Sequence, residues 1–334
     1  NCPPACNGTL IKSTNFRTVS LGADSIDPDL KPMRTQEATF SVDHQLNDVT
    51  AVSVRYVHKQ IDRAIEDTGS LDAQGNEIYV IANPGEGLTA LASTSPRVAL
   101  PKAKRDYDGV ELSLEKRLKS NWYFRGSYLW SRLYGNYSGL SQSDENGRTS
   151  PNVGRAFDYP LEMFQDGGKA AFGPLPTDRP HQVKGQFIYQ LPFGSSVGVN
   201  EYVASGTPIT REIGIYPSSN LPVQYLGRGS DGRTPLYSQT DAFVQHTFKV
   251  QGGRSVQLSL NVFNVLNQRT ATSKYSTYQK VNGVVPNDEA DFYNGKETLA
   301  ADIISQGVVK SPLFLMDNGF QAPMAARVGL KFSF

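Results

Sequence analysis

The chain has two cysteines and four histidines among 334 residues. Two cysteines are too few for a disulfide framework, and without a nearby histidine they make a poor zinc site. It has no excess of one charge: 33 basic and 32 acidic residues leave a net +1, so no broad basic field invites nucleic acid. No apolar run approaches the roughly 20 residues of a membrane-spanning helix. There is no Gly-x-Ser-x-Gly elbow, no phosphate-binding Walker loop and no His-Glu-x-x-His pair, so the sequence predicts no enzyme and no cofactor. Hydrophobic residues are also scarce for a large soluble core, at 38% with a mean hydropathy of −0.40. Disorder does not explain this, because 30 glycines, 20 prolines and 10% aromatics belong to a chain with many turns and something to pack.

What the chain does have is period-two alternation. Ala38, Phe40, Val42 and Leu46 share one face opposite Thr39, Ser41, Asp43 and Gln45, as side chains on a β-strand do. The pattern predicts about nine strands: 37–46, 49–61, 107–118, 122–134, 181–191, 197–211, 237–250, 255–266 and 327–334. They come as hairpins joined by short turns at Asn47-Asp48, Lys119-Ser-Asn121, Pro192-Phe-Gly-Ser195 and Gly252-Gly253. Long connections separate the hairpins, one of them with a short apolar piece at Ile78 to Ala82. Strands of roughly 10–13 residues match a tilted crossing of a bilayer and exceed the roughly 5–6 of soluble domains. A water-lined barrel also accounts for the low hydrophobicity, since half of every strand faces a polar lumen. The fold class predicted is all-β, an antiparallel transmembrane β-barrel segment with short periplasmic turns and long extracellular loops.

The last eight residues, Arg327 to Phe334, put Val328, Leu330, Phe332 and Phe334 on one face. A strand ending on a bare aromatic suits a lipid interface better than water. The series Arg327, Gly329, Phe332 and Phe334 resembles the C-terminal signal by which bacterial outer-membrane barrels are recognised for insertion. At the other end, Asn1-Cys-Pro-Pro-Ala-Cys6 has no initiator Met and no apolar segment of a signal peptide, and reads as a mature or truncated start. Cys2 and Cys6 are read as a small loop disulfide in an oxidising compartment, with a metal pair as the rival reading.

Leu258-Ser-Leu-Asn-Val-Phe-Asn-Val-Leu-Asn267 followed by Gln268-Arg269 resembles the penultimate strand of TonB-dependent outer-membrane transporters. Asp241 to Phe248 is similar to its hairpin partner, and Asp178-Arg-Pro-His181 and Tyr107 to Leu118 also fit. The wording is nearest the Oar-like branch, whose members carry a carboxypeptidase-regulatory-like domain before the plug. The resemblance implies energised uptake of a nutrient too large for porins (a peptide, a glycan or a metal chelate). It implies as partners outer-membrane lipid, the barrel-assembly machinery and, through upstream sequence, the TonB complex. It places the loops outside the cell and the C-terminus in the periplasm. Residues 1–36 are then an extracellular loop, and 37–334 the C-terminal part of a barrel that closes elsewhere with 22 strands. The alternative is a surface-exposed or secreted β-rich binding or adhesion protein without transport.

From alternation, Glu111, Glu115, Arg117, Gln182, Lys184, Gln186 and Asn261 are predicted to face the lumen. His44, His58, His181 and His246 are read as isolated structural residues. The oxygen-rich runs Asp144 to Gly147 and Asn287 to Asp291 could hold calcium, but neither has helix–loop–helix spacing, and solvated loops are the simpler reading. Tyr137, Phe157, Phe164, Tyr216, Tyr225, Phe292 and Tyr293 in the long connections are available for ligand capture or for packing.

Overall fold

A computed structural model describes residues 26–71, 77–139, 157, 159–215, 222–281 and 283–334. Nine long strands run in chain order: β1 Arg34–Asn47, β2 Thr50–Arg63, β3 Arg105–Lys119, β4 Trp122–Gly135, β5 His181–Gln190, β6 Ser195–Ala204, β7 Tyr237–Lys249, β8 Ser255–Phe263 and β9 Ala325–Ser333. Each pairs antiparallel with its neighbours in sequence, giving one meander from β1 to β9, with the short strand Gly173–Pro174 added at the end of β4. Among the described residues β1 pairs only with β2, and β9 only with β8.

The hairpin turns follow from local chemistry. Asn47 Oδ1 accepts the Val49 N–H at 3.1 Å. Ser120 and Asn121 both take left-handed φ, 55° and 68°, which gives the mirror-image turn whose twist matches paired strands. Gly194, Gly252 and Gly253 supply positive φ at the next two turns, at no Cβ cost.

The register aligns the alternation of all nine strands. One continuous row runs Val42, Val54, Leu112, Tyr128, Val183, Val203. Another, near the chain end, runs Val244, Leu260, Val328. The opposite face carries Ser41, Arg55, Glu111, Leu129 and Gln182 in register.

Burial is inverted relative to a soluble sheet. The apolar face is bare: Phe40 is 68% exposed, Trp130 50% and Val328 77%. The fully buried hydrophobic side chains, such as Leu161, Ile213, Val223, Phe292 and Leu299, lie in the long connections. The four connections form one mass beyond one end of the sheet. Gly69 N–H bonds Phe157 O at 2.9 Å, and Tyr278 N–H bonds Glu212 O at 2.8 Å. Arg228 Nη2 reaches Asn136 O at 3.1 Å, and Phe164 meets Tyr293 edge to face at 5.1 Å.

Two strand ends expected from the sequence differ from the structure. The sixth strand stops at Ala204 instead of Arg211; Arg211 turns into the folded connections, where its guanidinium pairs with Asp231 at 2.6 Å. The eighth stops at Phe263 instead of Leu266, because Asn264 takes φ 49°. The apolar piece at Ile78 to Ala82 is one strand of a separate four-stranded sheet built from Glu66–Leu71, Glu77–Ala82, Leu91–Thr94 and Arg97–Ala99. Two short helices, α1 Glu289–Tyr293 and α2 Leu299–Ser305, were not foreseen. Asp288 caps α1, accepting Ala290 N–H at 2.8 Å, and Thr298 caps α2, accepting Ala301 N–H at 3.1 Å.

Candidate functional site

The polar face of the sheet holds an open hollow of about 480 Å³, bordered by Glu111, Arg125, Lys184, Asn200, Tyr202 and Asp241 among others. Strand pairing sets its chemistry. Glu111 lies opposite Arg55 and accepts its guanidinium at 2.5 Å. Lys184 lies between Ser127 and Tyr202, with Nζ 6.0 Å from the Tyr202 ring centre. The Tyr202 hydroxyl donates to Gln182 Oε1 at 3.0 Å. Gln239 Nε2 donates to Asp241 Oδ1 at 3.0 Å. The surface is mixed in charge and rich in donors and acceptors, suited to holding a polar polypeptide or solute and not to concentrating one ion.

All seven residues read as lumen-facing share the parity of this polar face. Glu111, Lys184 and Gln186 border the hollow, and Gln182 hydrogen-bonds to its edge. Glu115 lies opposite Arg125, toward the short turns. Arg117 sits at the β1–β2 turn, where its backbone N–H reaches Val49 O at 2.8 Å. Asn261 stands apart, opposite Phe243 and Arg327. Sequence reasoning passed over Arg125, Asn200, Tyr202, Gln239 and Asp241, although each shares the parity of a chosen neighbour and the same alternation would have found it.

The terminal motif divides between the faces. Arg327 and Gly329 pair with Asn261 and Ser259 on the polar side, whereas Phe332 pairs with Val256 on the apolar side. Phe334 follows the last strand and is fully exposed. The Arg327 guanidinium lies 5.4 Å from the Phe263 ring centre. A Cβ on Gly329 would come within 2.6 Å of Ser259 Oγ.

Two motifs fix the rim where strands enter the folded connections. In the first, Asp178 is buried and accepts the Leu133 N–H at 2.6 Å and Arg233 Nη2 at 2.5 Å. Arg233 Nη1 also donates to Asp178 O at 2.9 Å and to Gly206 O at 3.0 Å, and Arg179 reaches Ser205 O at 2.7 Å. In the second, buried Asn264 donates through Nδ2 to Gln268 O and Ala322 O, both at 2.9 Å, and accepts Gln268 N–H at 2.8 Å. Gln268 Nε2 then donates to Ser238 Oγ at 3.1 Å.

Three histidines are hydrogen-bonded to side chains: His58 to Asp108, His181 to Tyr128 and His246 to Ser195, each at 2.8 Å. His44 lies opposite Val52. The Asn287 to Asp291 run is occupied in capping α1 and in bonds within its own loop. Among the described residues no group of three or more His, Cys, Asp or Glu gathers as metal ligands. Tyr137, Phe157, Phe164, Tyr225, Phe292 and Tyr293 are buried in the core of the connections, which is the packing reading. In this mass, burial and the neighbouring Glu297 push the Asp302 carboxyl up to about 7, and burial raises Asp166 against the pull of its two backbone N–H bonds. Cys2, Cys6, Tyr216 and the run from Asp144 to Gly147 lie outside the described residues.

A family model described as an outer-membrane beta-barrel domain matches residues 3–207. TonB-dependent transporter Oar of Myxococcus xanthus is 28% identical over 331 residues, covering 94% of this chain and 29% of its own length. The chain thus spans less than a third of that relative. Among solved structures, the ferric-catecholate import receptor Fiu of Escherichia coli aligns at 13% identity and TM-score 0.43, over 91% of this chain and 28% of the receptor. The outer-membrane transporter YddB of Escherichia coli aligns at 13% identity and TM-score 0.47, over 74% and 30%. At those scores the likeness in shape is loose. The sequence match is what decides, and it places the chain among outer-membrane β-barrels. The chain belongs to the outer-membrane β-barrel domain family and is related to the TonB-dependent transporters.

Proposed function

We propose that this chain is the C-terminal part of the barrel of an Oar-like transporter that takes up a peptide, a glycan or a metal chelate too large for porins. The observation that carries the proposal is the largely apolar face that runs across all nine strands of the meander. Left in water, a face of this extent would be an aggregation hazard. Against lipid it is the ordinary exterior of a barrel, with polar residues turned to the lumen. The edges of β1 and β9 support further strands in the same sheet. In a bilayer an unpaired edge leaves N–H and C=O groups unsatisfied, each costing several kcal/mol. A longer polypeptide, as in the Myxococcus relative, would supply strands to both.

In this reading the short turns face the periplasm and the folded connections face outward, where they meet the nutrient. The hollow on the polar face lines the path or holds a plug. Arg327, Gly329, Phe332 and Phe334 engage the barrel-assembly machinery, and TonB acts through sequence outside this chain. The intact mass of the native polypeptide in purified outer membranes is the first test, expected at several times 36.6 kDa. Uptake of peptide, glycan and chelate pools is then compared between parental and deletion strains, with and without TonB. Unchanged uptake of every pool in the deletion strain, with the loops surface-labelled in the parent, would replace uptake with binding or adhesion.

A further inference from the structure

The last long connection sets two acidic side chains, Asp302 and Glu297, side by side. Asp302, on α2, is 2% exposed. Its Oδ1 accepts Asn287 Nδ2, and its Oδ2 is buried with no donor facing it. The neighbour it meets is the Glu297 carboxylate. Both Glu297 oxygens are engaged, accepting the backbone N–H of Asn287 at 2.6 Å and of Asp288 at 2.8 Å. Asn287 therefore touches both acids and holds them side by side. Asp166 comes from the second connection and accepts Leu299 N–H at 2.8 Å and Ala300 N–H at 3.1 Å. The nearby cation Lys296 pairs instead with Asp291 at 3.3 Å. Among the described residues, the charges acting on Asp302 are those of Glu297 and Asp166.

Two ionised carboxylates in contact can only repel, and a buried oxygen without a partner is costly. One proton between them reverses both effects, because it gives Oδ2 a hydrogen bond and removes a charge. We propose that Asp302 and Glu297 share a proton and act as a pH-operated catch, holding residues 285–298 against α2 and the core of the folded connections. Phe292 and Leu299, both fully buried, lie on the elements this catch joins. Its release would loosen the outer surface of the protein.

The sign follows from linkage. An acid whose folded value lies above its unfolded value of 3.8, here about 7, keeps in the fold a proton that an open loop releases. The closed arrangement is therefore favoured in acid and loses ground as pH rises through about 7. One pH unit above that point weakens closure about tenfold relative to one unit below. The catch operates whether or not the protein transports anything.

The test is hydrogen exchange on the full-length native polypeptide in detergent, at pH 6 and pH 8, corrected for intrinsic rates. Backbone N–H groups of 287–306 are expected to lose about tenfold in protection at the higher pH, while those of β3 and β4 do not change. Asp302→Asn keeps the shape, accepts from Asn287 and donates to Glu297, and should stay protected at both pH values. Glu297→Gln sets an amide donor beside Asp302 at the cost of one of its two backbone bonds; it should also abolish the step, and unchanged protection of β3 and β4 shows that each variant folds. Equal protection at the two pH values in the wild type, or a step that survives in both variants, would overturn the proposal.

Discussion

Asp178, just before β5, and Arg233, just before β7, meet at 2.5 Å and bind the polypeptide on either side of a hairpin. The carboxylate is buried and the guanidinium half-buried. Replacing Arg233 with Ala therefore leaves a buried acceptor short of a donor and frees Asp178 O and Gly206 O as well. A loss of about 1–3 kcal/mol is expected, read as a lower melting temperature and earlier proteolysis of residues 205–236. Unchanged cleavage there would mean the rim is held by other contacts.

Asn264 combines a left-handed backbone, φ 49°, with three hydrogen bonds that close the β8 exit. Asn264→Ala loses both, at about 2–4 kcal/mol. Asn264→Gly loses only the bonds and should fall between Ala and the native residue in melting temperature. Equal effects of Ala and Gly would show that the backbone conformation contributes little.

The two faces of β8 should respond oppositely to charge. Leu258→Arg, on the apolar face, is expected to cost about 2–4 kcal/mol at the bilayer midplane and to remove the protein from outer-membrane fractions. Gln257→Arg, on the polar face, should leave its abundance near normal. Equal tolerance would contradict the assignment of lipid to the apolar side.

Gly198 and Phe243 face one another across β6 and β7. A Cβ at 198 would come within 2.2 Å of the Phe243 ring. Gly198→Ala should therefore cost about 1–3 kcal/mol, and the double variant Gly198→Ala with Phe243→Leu should recover most of it. Additive losses in a double-mutant cycle would place the strain elsewhere.

The proposed insertion role of Phe334 is tested separately. Phe334 lies beyond the last paired residue and touches no core, so Phe334→Ala should leave the melting temperature of assembled protein unchanged. Its effect is expected in assembly, as a fall in the outer-membrane fraction with accumulation of periplasmic degradation products. A normal yield of assembled variant would remove Phe334 from the signal.

Why some features were legible in the sequence and others were not is clearest at particular positions. Glu111, Lys184 and Gln186 were placed on one face because a strand alternates strictly, so face follows from parity alone. Asn264 ends β8 three residues before the expected boundary because the apolar pattern continues through Val265 and Leu266, and nothing in that pattern registers a left-handed residue between Phe263 and Val265. Arg211 was assigned to a strand for the same reason, although its partner Asp231 is twenty residues away.

The sequence by itself determined the nine strands, their hairpin order and which side chains share a face, because these depend on neighbours one or two residues apart and on turn residues at fixed offsets. Tertiary structure alone decided where the core lies. Asp302 beside Glu297, Asp178 beside Arg233 and Phe164 against Tyr293 are contacts between segments that local pattern treats as loops. Such contacts depend on how distant segments stack once the strands have set their ends, and no periodicity within any one segment encodes that.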